Sequence, residues 1–128
     1  MKFRHTIIYV KDVGATLKWY KDAFGFDIKF QAENEYGELQ TGETLLSFAS
    51  FGMAKVNLPG GYVPVNGPKP LGFELAFITD DVKGTLDKAV NAGAALISAP
   101  EEKPWGQTVA YARAPDGTVI EFGTPITD

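Results

Sequence analysis

Residues 4–26, RHTIIYVKDVGATLKWYKDAFGF, decide the fold that the sequence predicts. The part up to Val10 is rich in β-branched and aromatic residues, which indicates a strand. Asp12 stands at the position of a helix N-cap, and apolar side chains then recur at helical spacing until Gly25 provides a stop. The chain is therefore expected to begin with a strand followed by a helix.

The same order returns in the second half, at residues 73–94, FELAFITDDVKGTLDKAVNAGA. A shift of 69 residues, the separation of His5 from Glu74, aligns the two segments without a gap. Near the ends of the halves a shift of 74 residues places Ser47 over Glu121. An internal duplication of this length predicts two copies of one supersecondary unit, neither of which buries its hydrophobic face alone.

The remaining strands are short and separated by turn signals. They are predicted at residues 26–31, 37–41 and 44–50 in the first half and at residues 95–98, 107–114 and 118–123 in the second, with a loop at residues 99–106. The predicted fold class is α+β, with two βαβββ modules forming a cupped, eight-stranded mixed sheet and the helices on the outside.

We predict a single domain over residues 1–128. Its first module covers residues 1–51 and its second module residues 71–128. Residues 52–70 hold four Pro and four Gly with little periodicity, which predicts a linker between the modules.

Composition excludes several classes of function. The 128 residues contain no cysteine, which rules out disulfides, thiol catalysis and thiolate metal sites. A net charge of −4 without a Lys/Arg cluster argues against nucleic acid as a partner and is compatible with a cationic ligand. Without a long apolar run or signal-peptide pattern, no membrane association is expected, and we predict a cytoplasmic protein.

Strand alternation places one polar, ligand-capable residue at each of four equivalent positions, on the side away from the helices. These residues are His5, Ser47, Glu74 and Glu121. We expect them to converge, because equivalent strands of a duplicated fold meet near its pseudo-twofold axis. Two carboxylates facing inward repel each other, which predicts either a bound metal ion or a raised carboxylate pKa. An imidazole and two carboxylates suit Mn²⁺, Fe²⁺, Ni²⁺ or Zn²⁺.

Three segments carry a resemblance that covers nearly the whole chain. They are residues 4–26, residues 73–94 and residues 103–122, KPWGQTVAYARAPDGTVIEF. Together with the paired βαβββ order, they resemble the vicinal oxygen chelate superfamily, the group of glyoxalases, bleomycin resistance proteins and extradiol dioxygenases.

The resemblance implies a divalent metal ion, Zn, Ni, Mn or Fe, held by His5, Glu74 and Glu121. Two positions depart from the family pattern: Glu74 stands where glyoxalases and dioxygenases usually have His, and Ser47 stands where glyoxalase I has a carboxylate. The missing second His favours isomerase or lyase chemistry over oxygen cleavage.

We therefore predict a glyoxalase-like, metal-dependent enzyme of the isomerase or lyase type. It would bind a small oxygen-rich substrate through vicinal oxygens, with Glu74 and Glu121 as catalytic residues and Glu74 as general base. One alternative is a metal-free, bleomycin-resistance-like protein that sequesters a cationic or aromatic small molecule. Another is a dioxygenase. A homodimer is implied by the resemblance.

Five residues are candidates for substrate binding: Ser47, Lys103, Trp105, Tyr111 and Arg113. In the sequence KPWG, the indole is either a flat apolar wall for a ligand or a plug that fixes the loop, and the lysine offers a cation to an anionic substrate. The tyrosine and arginine lie two apart and share a strand face. The arginine either meets a carboxylate or lies at a solvated edge.

Overall fold

The computed structural model describes residues 1–126 of the protein, and within them the chain forms eight strands and three helices. Two compact units are present, one from Met1 to Pro68 and one from Lys69 onward. Each unit contains one four-stranded mixed sheet. No helix among residues 1–126 is long and apolar enough to cross a membrane.

The first unit follows the order strand, helix and three strands. Its elements are β1 (His5–Val10), α1 (Val13–Phe24), β2 (Asp27–Ala32), β3 (Tyr36–Gln40), β4 (Leu45–Ser50) and α2 (Phe51–Asn57). In the sheet the strands are ordered β1-β4-β3-β2, with β1 parallel to β4 and the other neighbours antiparallel.

Helix α1 begins and ends as the sequence predicts. The side chain of Asp12 accepts a hydrogen bond from the backbone N–H of Ala15, and Gly25 ends the helix in the left-handed conformation at φ 77°. On the buried side, the ring of Tyr20 lies 5.2 Å from that of Phe48 on β4, measured between centroids. These contacts fix α1 against one face of the sheet and leave the other face for polar groups.

The second unit repeats the order. Its elements are β5 (Glu74–Ile78), α3 (Val82–Asn91), β6 (Ala95–Glu102), β7 (Thr108–Arg113) and β8 (Val119–Gly123). The strand order is β5-β8-β7-β6, with β5 parallel to β8. The side chain of Asp81 caps α3 by accepting a hydrogen bond from the backbone N–H of Gly84, and Leu86, Ile120 and Phe122 are buried.

The predicted fold class is confirmed: the protein is α+β with two βαβββ modules and eight strands. The register of the β1–β4 pair also matches that of the β5–β8 pair. Ile7 lies beside Ser47 in the first sheet, as Ala76 lies beside Glu121 in the second. The internal counterparts inferred from the sequence therefore occupy equivalent positions in their own sheets.

Two elements differ from the sequence-based expectation. The segment predicted as a linker starts with the two-turn helix α2, whose first turn is capped by the side chain of Ser50. Only Ala54 of this helix is buried, so the sequence shows no periodic apolar pattern that would predict it. Strand β6 runs on to Glu102, through part of the predicted loop. Pro100 lies within a register shift between Ser98 and Glu101, where the missing N–H is tolerated.

Candidate functional site

The polar face of the first module is assembled from three neighbouring strands. Ser47 on β4 lies beside Ile7 of β1 and opposite Glu38 of β3, so these three side chains share one row on one face. His5 precedes Ile7 by two residues and shares that face. The geometry thus brings an imidazole, a hydroxyl and a carboxylate together in one sheet.

His5 and Ser47, two of the predicted site residues, are in direct contact. Nδ1 of His5 lies 2.8 Å from Oγ of Ser47, a fully buried side chain, and 3.4 Å from the hydroxyl of Tyr36. With the proton on Nδ1, this contact orients the ring and leaves the lone pair of Nε2 available, as in metal-ligating histidines. Ser47 therefore contacts the imidazole directly, and its part in substrate binding stays a prediction.

Glu38 is a member of this cluster that sequence reasoning missed. Its carboxylate is buried, and Oε2 accepts hydrogen bonds from the hydroxyl of Tyr36 at 2.6 Å and from Nη1 of Arg4 at 3.1 Å. The hydrogen bond from Tyr36, with the further help of Arg4, outweighs the effect of burial and lowers the pKa of Glu38. Glu38 is therefore ionised at neutral pH.

A sequence signal for Glu38 existed. In YGELQ, residues 36–40, alternation places Glu38 on the face opposite Leu39, which is fully buried. The four predicted positions came only from the first and last strands of each half, so an acidic residue on the third strand was overlooked.

The second module gathers two glutamates and a tyrosine on one face. Tyr111 of β7 lies directly opposite Glu121 of β8, and its hydroxyl donates a 2.7 Å hydrogen bond to Oε1 of Glu121. Glu121 lies beside Ala76, and Glu74 precedes Ala76 by two residues on the same face of β5. The carboxyl groups of Glu74 and Glu121 are therefore close enough for Glu121 to affect the titration of Glu74.

This proximity changes how two of the groups titrate. Burial, followed by the negative charge of Glu121 and its hydrogen bond, raises the pKa of Glu74. The hydrogen bond to Glu121, followed by burial, raises the pKa of Tyr111 to about 12. A raised carboxyl pKa is one of the two outcomes expected for a pair of inward carboxylates, and it occurs at Glu74.

The other substrate-binding candidates lie on the β6–β7 and β7–β8 hairpins. Nζ of Lys103 is 3.6 Å from Oε2 of Glu101, and Nε of Arg113 donates a 2.8 Å hydrogen bond to the backbone carbonyl of Gly117. Trp105 is 64% exposed, and its indole N–H donates to Oε1 of Gln107 at 2.9 Å. The indole is thus held by a hydrogen bond and largely exposed.

The predicted site residues form two groups: His5 with Ser47 in the first module, and Glu74 with Glu121 and Tyr111 in the second. Within residues 1–126, no three His, Asp or Glu side chains are grouped so that they could hold a metal ion. A metal ion held by His5, Glu74 and Glu121 stays a prediction.

Comparison with known proteins adds a family match that covers most of the chain. The family model described as Glyoxalase/Bleomycin resistance protein/Dioxygenase superfamily matches residues 2–122. A protein of Bacillus subtilis (strain 168), described as the uncharacterized protein YwbC, is 29% identical over 124 residues, which cover 92% of this chain and 93% of the relative.

Solved structures share the fold. A glyoxalase-related enzyme from Fulvimarina pelagi superposes with a TM-score of 0.83 at 20% identity, covering 98% of this chain and 88% of that one. A glyoxalase/bleomycin resistance protein/dioxygenase family enzyme from Burkholderia phytofirmans PsJN superposes with a TM-score of 0.82 at 22% identity, covering 96% and 97%. At these identities the likeness is one of fold alone.

Proposed function

Because this chain belongs to the glyoxalase/bleomycin resistance protein/dioxygenase superfamily, we propose that it is an enzyme of the isomerase or lyase type acting on a small oxygen-rich molecule. The observation that carries the proposal is the cluster in the second module, where Glu74, Glu121 and Tyr111 meet on one sheet face. Two neighbouring carboxyl groups, of which Glu74 has the raised pKa, provide an acid form and a base form side by side.

The proposed chemistry is proton transfer at a carbon next to a carbonyl group. Glu74 is the general base, since a carboxylate with a raised pKa is the stronger base of the pair. The carboxylate of Glu74 removes the proton from carbon, which leaves an enolate. The resulting carboxylic acid then returns the proton to the same carbon or to the adjacent one. Tyr111 holds Glu121 through Oε1 and so keeps the second carboxyl group in place beside Glu74.

Hydrogen–deuterium exchange at carbon tests this chemistry directly. The protein is incubated in D₂O with a panel of small α-hydroxycarbonyl and 1,2-dicarbonyl compounds, and loss of the C–H signal is followed by NMR. We expect exchange of at least one compound with wild type and none with Glu74→Gln. Glu43→Gln, a change at an exposed glutamate between β3 and β4, is the matched control and retains exchange. Exchange that persists in Glu74→Gln contradicts the assigned base.

The divalent metal ion implied by the resemblance is part of the proposal. The donor types suit such an ion, because one imidazole and two carboxylates are the nitrogen and oxygen ligands that these divalent ions take. When bound, a divalent ion acts as a Lewis acid on substrate oxygens. Metal analysis of protein purified without chelators tests this prediction. Stoichiometric metal that is lost in His5→Ala and Glu121→Ala supports it, and metal-free protein contradicts it.

The rival function is sequestration of a cationic or aromatic molecule without chemistry. It is favoured by the paired carboxyl groups, by the net charge of −4 and by the exposed, hydrogen-bonded indole of Trp105. Binding of a basic aromatic dye, followed by Trp fluorescence, distinguishes the two. Tight binding that is weakened in Glu74→Gln, together with no isotope exchange of any panel compound, supports sequestration.

A homodimer and a cytoplasmic location also remain predictions. Sedimentation velocity measures the first directly, and fractionation of the producing cell measures the second. Dioxygenase chemistry is the least favoured of the three, because the chain has a single histidine.

A further inference from the structure

Arg4 lies beside the polar face of the first module and takes no part in the acid–base chemistry proposed above. Its side chain is 58% exposed, yet Nη1 lies 3.1 Å from Oε2 of Glu38, a carboxylate whose side chain is only 7% exposed. Arg4 precedes β1, so no strand ladder holds its backbone. The ion pair with the buried carboxylate is therefore what fixes the position of this guanidinium.

The guanidinium also lies over the ring of His5. Nη1 is 3.2 Å from both Nδ1 and Nε2. If Nη1 lay in the plane of the ring at this distance from both nitrogens, it would collide with the ring carbons. Nη1 therefore lies over the face of the imidazole. Glu38 and His5 thus hold Arg4 through the same nitrogen.

The contacts with Glu38 and His5 use Nη1 alone, and Tyr36 forms a further hydrogen bond with the guanidinium. An arginine side chain carries five N–H donors in a planar fork that matches the two oxygens of a carboxylate. Burying a carboxylate is costly unless it is paired, and here the buried carboxylate is paired with a cation that remains accessible. This arrangement holds a donor fork at a fixed place on the surface.

The surroundings of Arg4 indicate what kind of anion fits. Phe30 is 52% exposed, lies opposite Glu38 across the β2–β3 pair, and its ring is 6.3 Å from that of Tyr36. Lys29 also acts electrostatically on Glu38. Two cations therefore act on one carboxylate, and the three groups together carry one positive charge beside an open aromatic surface.

We propose that Arg4, positioned by Glu38 and Tyr36, anchors a binding site on the first module for small carboxylates that carry an aromatic ring. The carboxylate pairs with the free edge of the guanidinium, and the ring lies against Phe30. This proposal goes beyond the proposed enzymatic function, because Glu74, Glu121 and Tyr111 take no part in it.

An NMR titration with benzoate as the probe tests the proposal, with acetate and inorganic phosphate as separate arms. We expect benzoate to shift the Arg4 Nε–H signal and the amide signals of His5 and Glu38 saturably, and acetate to bind more weakly because it lacks a ring. Arg4→Gln removes a charge-assisted bidentate pair and should raise the dissociation constant for benzoate by about tenfold or more. If inorganic phosphate binds as tightly as benzoate, the proposed contact between the ring of the ligand and Phe30 is wrong.

Control variants separate the site from general charge. Lys11→Gln removes one positive charge at an exposed position just after β1 and retains benzoate binding. Glu38→Gln keeps Arg4 but removes the ion pair that positions its guanidinium, and is therefore expected to weaken benzoate binding. Benzoate shifts of equal size in wild type and Arg4→Gln, or no saturable shift in wild type, overturn the proposal.

Discussion

The hydroxyl of Tyr111 on β7 donates a 2.7 Å hydrogen bond to Oε1 of Glu121, its direct cross-strand neighbour on β8. In the first module, the hydroxyl of Tyr36 donates a 2.6 Å hydrogen bond to Oε2 of Glu38. Each module thus keeps a tyrosine–carboxylate pair on its polar face. The carboxylate comes from the last strand in one module and from the third in the other, so the duplicated scaffold has diverged in its chemistry.

The Tyr111 phenol predicts a loss of stability in alkaline solution. Its pKa is raised to about 12 in the folded protein, against about 10 for a free tyrosine. The neutral phenol is therefore favoured by folding, and this contribution is complete below about pH 10 and lost as the pH rises towards 12. We expect the free energy of unfolding of wild type, measured in urea, to fall more steeply above about pH 10 than that of Tyr111→Phe. Parallel curves would contradict the assignment.

Replacing Glu74 with glutamine is expected to stabilise the protein at neutral pH. The pKa of Glu74 is raised by burial and by Glu121, so its protonated form is favoured by folding, and that contribution is lost as the pH rises through the folded pKa. Glu74→Gln keeps the neutral form at every pH. Its melting temperature should exceed that of wild type at pH 7, and the difference should shrink at pH 4. Glu43→Gln is the control and should show no such pattern.

Replacing Glu38 with glutamine is expected to destabilise the protein at neutral pH, in contrast to the replacement of Glu74. The pKa of Glu38 is lowered by its hydrogen bonds, so its ionised form is favoured by folding, and that contribution is lost as the pH falls through the folded pKa. Glu38→Gln should destabilise the protein at pH 7 by roughly 1.5–3 kcal/mol, the usual range for a hydrogen bond to a charged group. Urea unfolding measures the difference. A stability equal to wild type at pH 7 would show that the buried pairing contributes nothing.

A side chain at Gly37 on β3 is expected to destabilise the protein. A Cβ at this position would run into Cδ1 of Leu17, a fully buried side chain of α1. Gly37→Ala should therefore lower the free energy of unfolding by about 1–3 kcal/mol through overpacking. Gly72→Ala is the matched control, because a Cβ there meets nothing within 4 Å and the residue does not adopt positive φ. Equal melting temperatures of the two variants would contradict the close approach of α1 to β3.

The second-module cluster was partly predictable. Alternation in FELAF and TVIEF places Glu74 and Glu121 on the same side of their strands, and the duplication pairs them with His5 and Ser47. The hydrogen bond from Tyr111 was not predictable, because it depends on the β7–β8 register, which sequence spacing does not specify. The convergence of Ser47 with His5 was expected from the duplication, but the contact of its hydroxyl with Nδ1 was not, because it joins two strands that lie far apart in the sequence.

The sequence by itself determined the two βαβββ modules, the caps of α1 and α3, and the superfamily, because these follow from local periodicity, end signals and an internal repeat. The tertiary structure alone decided that Glu38 lies buried beside Tyr36 and Arg4, that Ser47 meets His5 at Nδ1, and that Tyr111 donates a hydrogen bond to Glu121. Except for the hydrogen bond of Tyr36 with Glu38 within β3, those contacts join segments far apart in the sequence, and the pKa of a group depends on such neighbours.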